Sequence, residues 1–337
     1  MFGKPLAPAV PWLLAIAAIA TVALSGNKYV ATVGILITVN AIAASGLSLF
    51  VSYAGQFSLG HAALMGVGAY GSAIAAKDLD LPPLVSLVVG VALAALIGLL
   101  IGLPTVRLAG YYLAIATYGL GVIVYVVFQE GGDLTGGAQG LSAIPPLILF
   151  GINLSSNVIS YFIALGIVLL LCVFLIQTLV SSNYGRGLRT LSRSEASAEA
   201  MGVAVTRVKL QVFVLSAAMA GLAGGLYTYA IRYLDPGAFS PAVSIGLLIM
   251  IALGGVRSLW GPVIGTVLFF GLREILKAVL PEIAPQAGTR VEVFFFGIVL
   301  ILVLLYPPNT LWAAIKRRFV RSVPADSGAL GTSTSLS

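Results

Sequence analysis

Long apolar runs alternate with short polar or Pro/Gly-rich breaks along the chain. Leu84 to Leu103 and Tyr161 to Val180 each contain twenty consecutive residues without a charge. At about 1.5 Å of rise per helical residue, each run is long enough to cross a hydrocarbon core about 30 Å thick. The pattern therefore predicts an all-α, polytopic transmembrane bundle of about ten spans, at 8–25, 30–53, 57–76, 83–103, 111–129, 158–180, 208–231, 240–256, 259–280 and 291–312. The Gly/Ala-rich run 57–76 and the short run 240–256 are also compatible with re-entrant segments.

The composition supports a membrane protein and argues against other classes. Of 337 residues, 59% are hydrophobic and 9% are charged, whereas soluble domains contain about 25% charged residues. The mean hydropathy is +1.08. The basic residues behind the net charge of +7 lie in separate loops, which favours a role in membrane topology over a nucleic-acid-binding surface. A single cysteine, Cys172, excludes a disulfide within the chain, and a single histidine, His61, cannot build a metal site alone.

The positively charged residues are distributed unevenly between the two sides of the predicted bundle. This bias places both termini in the cytoplasm and requires an even number of spans. Lys4 and the run 8–25 also imitate a signal peptide, but the length of the run and the spans that follow favour a first transmembrane helix. Twelve of the eighteen Lys and Arg residues fall on the cytoplasmic side: Lys4, Arg107, Arg186, Arg189, Arg193, Arg207, Lys209, Arg257, Lys316, Arg317, Arg318 and Arg321.

The long outer segment 130–157 divides the predicted spans into two groups of five. An odd number of spans in each group gives the two halves opposite orientations, as in transporters built from inverted repeats. The sequences Gly55 to Ser58 and Gly237 to Ser240, before the third and the eighth span, are a short echo of such a repeat. Glycines four residues apart within apolar spans predict close helix contacts at Gly98/Gly102, Gly221/Gly225 and Gly261/Gly265.

The chain divides by composition into one membrane domain and a tail. Residues 1–315 form a single predicted transmembrane domain, which includes a polar cytoplasmic loop at 185–207. Residues 316–337 form a cytoplasmic tail that is basic at first and then rich in Ser, Gly and Thr, so we expect its end to be disordered.

The polar loop carries the signals of a short helix. Ser192 and Glu195 have the Ser-x-x-Glu spacing of a capping box, and Gly202 supplies a left-handed stop. The alanines between them favour helix, so the sequence predicts a helix over about Arg193 to Met201. A short rigid helix outside the membrane can transmit motion between the bundle and a partner. The alternative is a solvated connection whose arginines only anchor the topology.

Several stretches resemble a known transporter family. The Glu199-Ala200-Met201-Gly202 core is similar to the EAA-type loop of ABC importer permeases, which docks on the ATP-hydrolysing subunit. The resemblance to the branched-chain amino-acid permease family, and in particular to its M-type member, covers about Gly46 to Thr266. It departs at Arg257, where a glycine is commoner in the family. The stretches that carry it are GQFSLGHAALMGVGAYG from Gly55, GYYLAIATYGLG from Gly110, LTGGAQGL from Leu134, KLQVFVLSAAMAGLAGGLY from Lys209 and GGVRSLWGPVIGT from Gly254.

The resemblance implies a permease subunit of a binding-protein-dependent ABC importer for branched-chain amino acids in the bacterial plasma (inner) membrane. It implies four partners besides the lipid bilayer: an H-type permease, two ABC ATPase subunits and a periplasmic or extracellular binding protein. ATP and Mg would bind to the ATPase chains. This chain has no Walker A motif, since its only Gly-Lys pair, Gly3-Lys4, is followed by Pro5. The chain itself is then no enzyme, and we expect no cofactor in it.

The resemblance and the positions of polar residues give three sets of candidate site residues. Coupling to the ATPase is assigned to Ser192, Arg193, Glu195, Glu199, Ala200 and Gly202. Polar groups inside spans are costly against lipid, and exposed backbone at glycines can bind solutes, so the candidates for a substrate path are Gln56, Ser58, His61, Gly66, Gly68, Tyr112 and Thr117. Docking of the binding protein on the outer face is assigned to Asp133, Thr135, Gly136, Gly137 and Gln139. The alternative for His61 is a hydrogen bond to a neighbouring helix.

Other functions remain open at this point. Import of urea, amides or aromatic acids uses the same scaffold in related families, and sequence alone does not separate these substrates. An ion-coupled secondary transporter is more remote, because it usually needs acidic residues buried mid-span, and this chain offers little beyond Glu274 beside Arg273. A membrane-embedded enzyme lacks a catalytic constellation in a chain with one His, one Cys and no mid-span carboxylate pair.

Overall fold

A computed structural model describes residues 10–283, except 107, 109, 150–151 and 257, together with 297–298 and 301. The predicted tail 316–337, nearly all of the predicted span 291–312, and Arg257 lie outside the described residues. The chain divides into two compact units, Met1–Ile275 and Leu276–Ser337, and the architecture below is that of the first.

The described residues are predominantly helical. Nine predicted spans coincide with helices to within about four residues at either end. The helices are α1 (Val10–Ser25), α2 (Lys28–Ala54), α3 (His61–Lys77), α4 (Pro83–Thr105), α5 (Tyr111–Glu130), α6 (Gly132–Thr135), α7 (Val158–Ser181), α8 (Asn183–Leu191), α9 (Glu195–Ala200), α10 (Val205–Ile231), α11 (Pro241–Gly254) and α12 (Gly261–Ile283). Short 3-10 turns lie at Gly137–Gln139, Leu154–Ser156 and Pro236–Phe239, and two-residue strands β1 (Ile148–Leu149) and β2 (Ile152–Asn153) pair antiparallel.

Five of these helices, α2, α4, α5, α7 and α10, are long and apolar enough to cross a membrane. Helices α1 and α11 are apolar but shorter. The protein is thus a multi-pass helical membrane protein, whereas a total of about ten spans stays a prediction.

Helix α10 lies at the centre of the bundle and packs against α2, α3 and α4. Small residues make this possible, because a glycine lets two helix backbones approach closely where lipid gives no drive to associate. Gly68 of α3 lies against Gly221 of α10, and a side chain at either position would collide with the other helix or with α4. The predicted glycine pairs all lie at such contacts: Gly98 on Ala217, Gly102 on Phe213, Gly221 on Ala94, Gly225 on Leu87, Gly261 on Gly255 and Gly265 on Met250.

The connection between α2 and α3 is an extended segment, residues 55–60, that enters the protein interior. Gly55 ends α2 in the left-handed conformation, with φ of +66°. Ser58 and His61 are fully buried, so α3 begins inside the bundle. Helix α3 therefore begins four residues after the start of the predicted span 57–76, because the backbone there is held by side chains of other helices. The Leu59 N–H donates to Thr117 Oγ1 of α5 at 3.0 Å, and the Ala62 N–H donates to Ser244 Oγ of α11 at 2.9 Å.

The segment 131–157 is fixed to the end of α10. Leu141 and Leu234 exchange two backbone hydrogen bonds of 3.0 and 2.9 Å. The Arg232 guanidinium donates from Nε to the Ile144 carbonyl at 3.1 Å, and the Tyr233 hydroxyl donates to the Gln139 carbonyl at 2.6 Å. These bonds hold the segment 131–157 against the end of α10, the central helix of the bundle, so it is more than a flexible connection.

Candidate functional site

The polar loop between α7 and α10 folds into two short helices. In α8, the buried Leu188 and Leu191 face the bundle while Arg186 and Arg189 are exposed, so the helix is amphipathic. Its start is capped by Ser182, whose hydroxyl accepts from the Gly185 N–H at 3.4 Å. The sequence predicted only one helix here, over 193–201, because the arginines and glycines of α8 mask its apolar stripe.

The second helix, α9, is shorter than predicted and has a different N-cap. Ser194, not Ser192, caps it, with Oγ accepting from the Ser197 N–H at 3.2 Å. Ser192 instead ends α8 and donates its hydroxyl to the Arg189 carbonyl. The predicted capping box between Ser192 and Glu195 is thus wrong.

The predicted stop at Gly202 is confirmed. Gly202 has φ of +79°, a conformation that side chains disfavour. Its N–H donates to the Glu199 carbonyl at 2.9 Å, and the Val203 N–H donates to the Ala198 carbonyl at 3.0 Å. This pair of bonds is a Schellman motif, which ends the helix in a defined direction.

The Glu195 side chain explains why no capping box forms. Its Oε1 accepts from Lys209 Nζ at 2.6 Å and from Gln56 Nε2 at 3.4 Å. Lys209 is only 3% exposed, and a lysine in the interior needs a counter-ion because an unpaired buried charge is costly. One carboxylate therefore ties α9 to the start of α10 and to the segment 55–60.

The opposite side of α9 is exposed. Glu199, Ala200, Met201 and Gly202 all lie on the surface, and Met201 has 63% of its area exposed. Arg193 is exposed as well, and with Arg186 and Arg189 it lines an open cavity of about 470 Å³. Of the six residues assigned to coupling, Arg193, Glu199, Ala200 and Gly202 are thus accessible to a partner, while Ser192 and Glu195 hold the local structure.

Two of the residues assigned to the substrate path, Ser58 and His61, come together at the start of α3. His61 contacts Ser58 Oγ through Nδ1 at 3.1 Å and Ser216 Oγ of α10 through Nε2 at 2.5 Å. Ser216 donates its one hydroxyl proton to the Gly46 carbonyl of α2 at 2.7 Å. Its oxygen must therefore accept from His61, so Nε2 carries the proton and Nδ1 accepts from Ser58. His61 is thus a hydrogen-bonded link between α2, α3 and α10.

The other path candidates are distributed over the molecule. Thr117 holds the extended segment 55–60 through the Leu59 N–H. Gly66 packs against Phe128, and Gly68 packs against α10, so both serve close packing. Gln56 lies with Glu195, and Tyr112 is 72% exposed, away from the other candidates. A substrate contact at these residues stays a prediction.

The candidates for binding-protein docking form a fixed turn. Thr135 is buried and donates its hydroxyl to the Phe128 carbonyl at 2.9 Å, so it holds the turn together. Gly136 and Gly137 have positive φ values of 75° and 57°, which explains the glycines. Asp133 and Gln139 are exposed and accessible to a partner.

Sequence reasoning missed four residues of this network: Lys209, Ser216, Ser244 and Thr228. Each is buried and bonded to another helix; Thr228, for example, donates to the Ala69 carbonyl of α3 at 3.1 Å. The available signal was their place as polar residues inside an otherwise apolar span. Within the described part of the chain, no group of three or more His, Cys, Asp or Glu residues could hold a metal ion.

Comparison with known proteins is consistent with this architecture. Residues 29–304 match the family model described as branched-chain amino acid transport system / permease component. The chain is 30% identical over 255 residues to the high-affinity branched-chain amino acid transport system permease protein LivM of Salmonella typhimurium, with 69% of this chain and 60% of that protein covered. It is 29% identical over 254 residues to LivM of Escherichia coli, with the same coverage of 69% and 60%.

For a more distant relative, the match covers a larger share of the relative's length. The nucleoside ABC transporter permease protein NupC of Lactococcus lactis is 24% identical over 301 residues, which are 80% of this chain and 92% of that protein. By contrast, the chain spans about 60% of the length of the two LivM proteins. No solved structure matches this chain.

Proposed function

This chain belongs to the branched-chain amino acid transport permease family, and we propose that it is the membrane-spanning subunit of an ABC importer for Leu, Ile and Val. The substrate arrives on a periplasmic or extracellular binding protein. Two ATPase subunits bind ATP and Mg and supply the energy, and an H-type permease completes the membrane part. In this proposal both termini and the loop with α8 and α9 lie in the cytoplasm of a bacterium.

The observation that carries the proposal is the attachment of α9. A coupling element needs an exposed surface for the ATPase and a stiff link to the membrane helices. The surface is the exposed end of α9, with Glu199, Ala200 and Gly202. The link is the ion pair of 2.6 Å between Glu195 and the buried Lys209. A loop that only set the topology would need neither feature.

The hydrogen bonds suggest how motion passes inward. Displacement of α9 moves α10 through Lys209 and the segment 55–60 through Gln56. Ser216 of α10 in turn holds His61, the first residue of α3. We assign Ser58, His61 and Thr117 to positioning the start of α3 beside the substrate path, so that this helix end follows α10 when the ATPase changes state.

The outer face receives the binding protein at the turn 131–140. Its exposed Asp133 and Gln139 offer polar contacts, and its Gln139 carbonyl accepts from the hydroxyl of Tyr233, which lies just beyond the end of α10. Docking on this turn is therefore transmitted to the same helix that α9 holds at its other end.

Reconstitution with the partner subunits tests the function. The complex in liposomes should accumulate radiolabelled leucine only when ATP and the loaded binding protein are both supplied. Urea, an aliphatic amide and an aromatic acid are tested in parallel. Accumulation of one of these without leucine would replace the substrate assignment, and uptake that follows an ion gradient without ATP would contradict the ABC mechanism.

A further inference from the structure

A cavity of about 420 Å³ opens among α2, α3, α10, α11 and α12. Its wall is mostly apolar, with Met65, Val243 and Met250 among the lining side chains. Three residues with polar side-chain groups also line it, Asn40 of α2, Tyr227 of α10 and Arg273 of α12. The volume falls in the range of small-molecule sites, which are typically apolar with a few fixed polar groups.

Arg273 is the first unusual feature of this cavity. It lies twelve residues into α12, about 18 Å along its axis. Its side chain is exposed and has no hydrogen bond or ion pair with any residue that the structure describes. Helix α12 covers the predicted span 259–280, and a guanidinium inside a membrane span is costly and normally faces a partner or a solute path. Since its planar donors match a carboxylate, Arg273 is suited to hold one.

Asn40 supplies the complementary group. Its Nδ2 donates to the Leu36 carbonyl at 2.9 Å within α2, which fixes the amide. Its Oδ1 accepts from no donor among the described residues, so an acceptor is left over on the cavity wall. An ammonium group can occupy that acceptor.

We propose that this cavity binds an amino-acid zwitterion with an apolar side chain during its passage through the permease. The carboxylate binds Arg273, the ammonium binds Asn40 Oδ1, and the side chain contacts Met65, Val243 and Met250. The inference rests on the proposed function and adds where the substrate sits. The cluster around His61 is less suitable, because Ser58, His61 and Ser216 are fully buried and already bonded to one another.

A phospholipid is the other occupant that this chemistry admits, with its phosphate on Arg273 and an acyl chain in the cavity. The acceptor of Asn40 argues against it, since a hydrocarbon chain would leave that oxygen without a partner. An amino acid satisfies both polar groups and the apolar wall.

Equilibrium binding to the purified permease and ATPase complex, without binding protein, tests the proposal. Radiolabelled leucine should bind at millimolar concentration or below. Leucinamide, which lacks the carboxylate, and 4-methylpentanoate, which lacks the ammonium, should compete about tenfold or more weakly, because each loses one charged hydrogen-bonding group. In the Arg273→Gln variant, leucine binding should weaken about tenfold or more, and leucine should no longer bind more tightly than leucinamide.

A second variant reports on the cavity without touching the charge. Val243→Phe should fill the cavity and weaken leucine binding, whereas Val267→Phe, on an exposed position of α12 outside the cavity, should not. Membrane level and thermal stability are measured for all variants. Arg273→Gln also serves if Val243→Phe fails to fold.

The outcomes separate this inference from the proposed function. If the reconstituted complex transports leucine but Arg273→Gln leaves leucine binding and the KM for transport unchanged, the cavity is not the site and the function stands. Absence of leucine binding at millimolar concentration by the wild-type complex likewise removes the cavity as the site. Mass spectrometry that finds a phospholipid retained by the wild type and lost in Arg273→Gln, with leucine binding unchanged, overturns the inference in favour of lipid. If the wild-type complex transports no amino acid, the proposed function itself fails.

Discussion

The two partners of the ion pair between Glu195 and Lys209 differ in burial, so the loss of folding stability should depend on which of them is replaced. The Lys209 side chain is 4% exposed, whereas that of Glu195 is 49% exposed. Glu195→Gln leaves a buried ammonium without its counter-ion, which should cost about 2 kcal/mol after allowance for the half-exposed carboxylate. Lys209→Met leaves a carboxylate that water can reach and should cost less. Thermal unfolding of the purified protein checks this order, and an equal or reversed loss would contradict the buried pair.

The hydrogen-bond chain through His61 predicts a second effect at single-residue scale. Ser216→Ala leaves His61 Nε2 without a partner in the interior and removes the side-chain hydrogen bond to the Gly46 carbonyl, which should cost on the order of 1–3 kcal/mol. Ser181→Ala is the matched control, because Ser181 is exposed and donates only to the Thr178 carbonyl of its own helix. Both variants are compared by thermal unfolding. A Ser216→Ala protein as stable as the control would show that His61 does not depend on this bond.

The helices were largely predictable, because twenty-residue apolar runs suffice to indicate a membrane helix. Details set by distant residues were not. Ser192 and Ser194 are both acceptable N-caps by sequence, and the choice between them depends on Lys209, which draws Glu195 away from a capping box. The predicted span 57–76 includes residues 57–60, yet Thr117 and Ser244 hold the segment 55–60 and the start of α3 from other helices. In the candidate site, the sequence indicated which polar residues matter, but it did not indicate their hydrogen-bond partners on other helices.

The end of α9 gives a prediction for one structural element. A Cβ at Gly202 meets no atom within 4 Å, so a substitution there causes strain at φ of +79° without a clash. Gly202→Val should cost about 1 kcal/mol or more, too little to unfold the bundle but enough to redirect the exposed end of α9. We expect normal membrane levels and assembly, with loss of ATP hydrolysis stimulated by the binding protein.

Gly187→Ala in α8 is the control for that experiment. Gly187 has no positive φ, and an added Cβ meets only Val203 at an ordinary 3.7 Å. The control should keep its stimulated hydrolysis. Glu199→Lys, which reverses the charge of an exposed residue on α9, should also lose stimulated hydrolysis. If Gly202→Val and Glu199→Lys both keep it, α9 does not couple the ATPase to transport and serves only as a connection.

At the scale of the whole molecule, α10 separates the two candidate partner surfaces. Its 27 residues span about 40 Å, which matches a bilayer with its headgroup regions. Helix α9 is bonded through Glu195 to Lys209, near the start of α10, and the turn 131–140 is bonded through the Gln139 carbonyl to Tyr233, just beyond the end of α10. The two surfaces must therefore lie on opposite sides of the membrane, whichever way the chain is inserted.

Cysteine labelling in intact cells decides both the separation and the orientation. Ala196→Cys reports on α9 and Asp133→Cys on the outer turn, each in a Cys172→Ala background, and both positions are exposed. The excess of Lys and Arg on the side of α9 predicts that this side is cytoplasmic. An impermeant thiol reagent added outside should then modify the cysteine at 133, and should modify the one at 196 only after the cells are permeabilised. Modification of both from outside would contradict the bundle, because α10 would no longer separate them. Modification of 196 alone would keep the bundle but invert it, placing α9 where no ATPase can reach it and removing the coupling assignment.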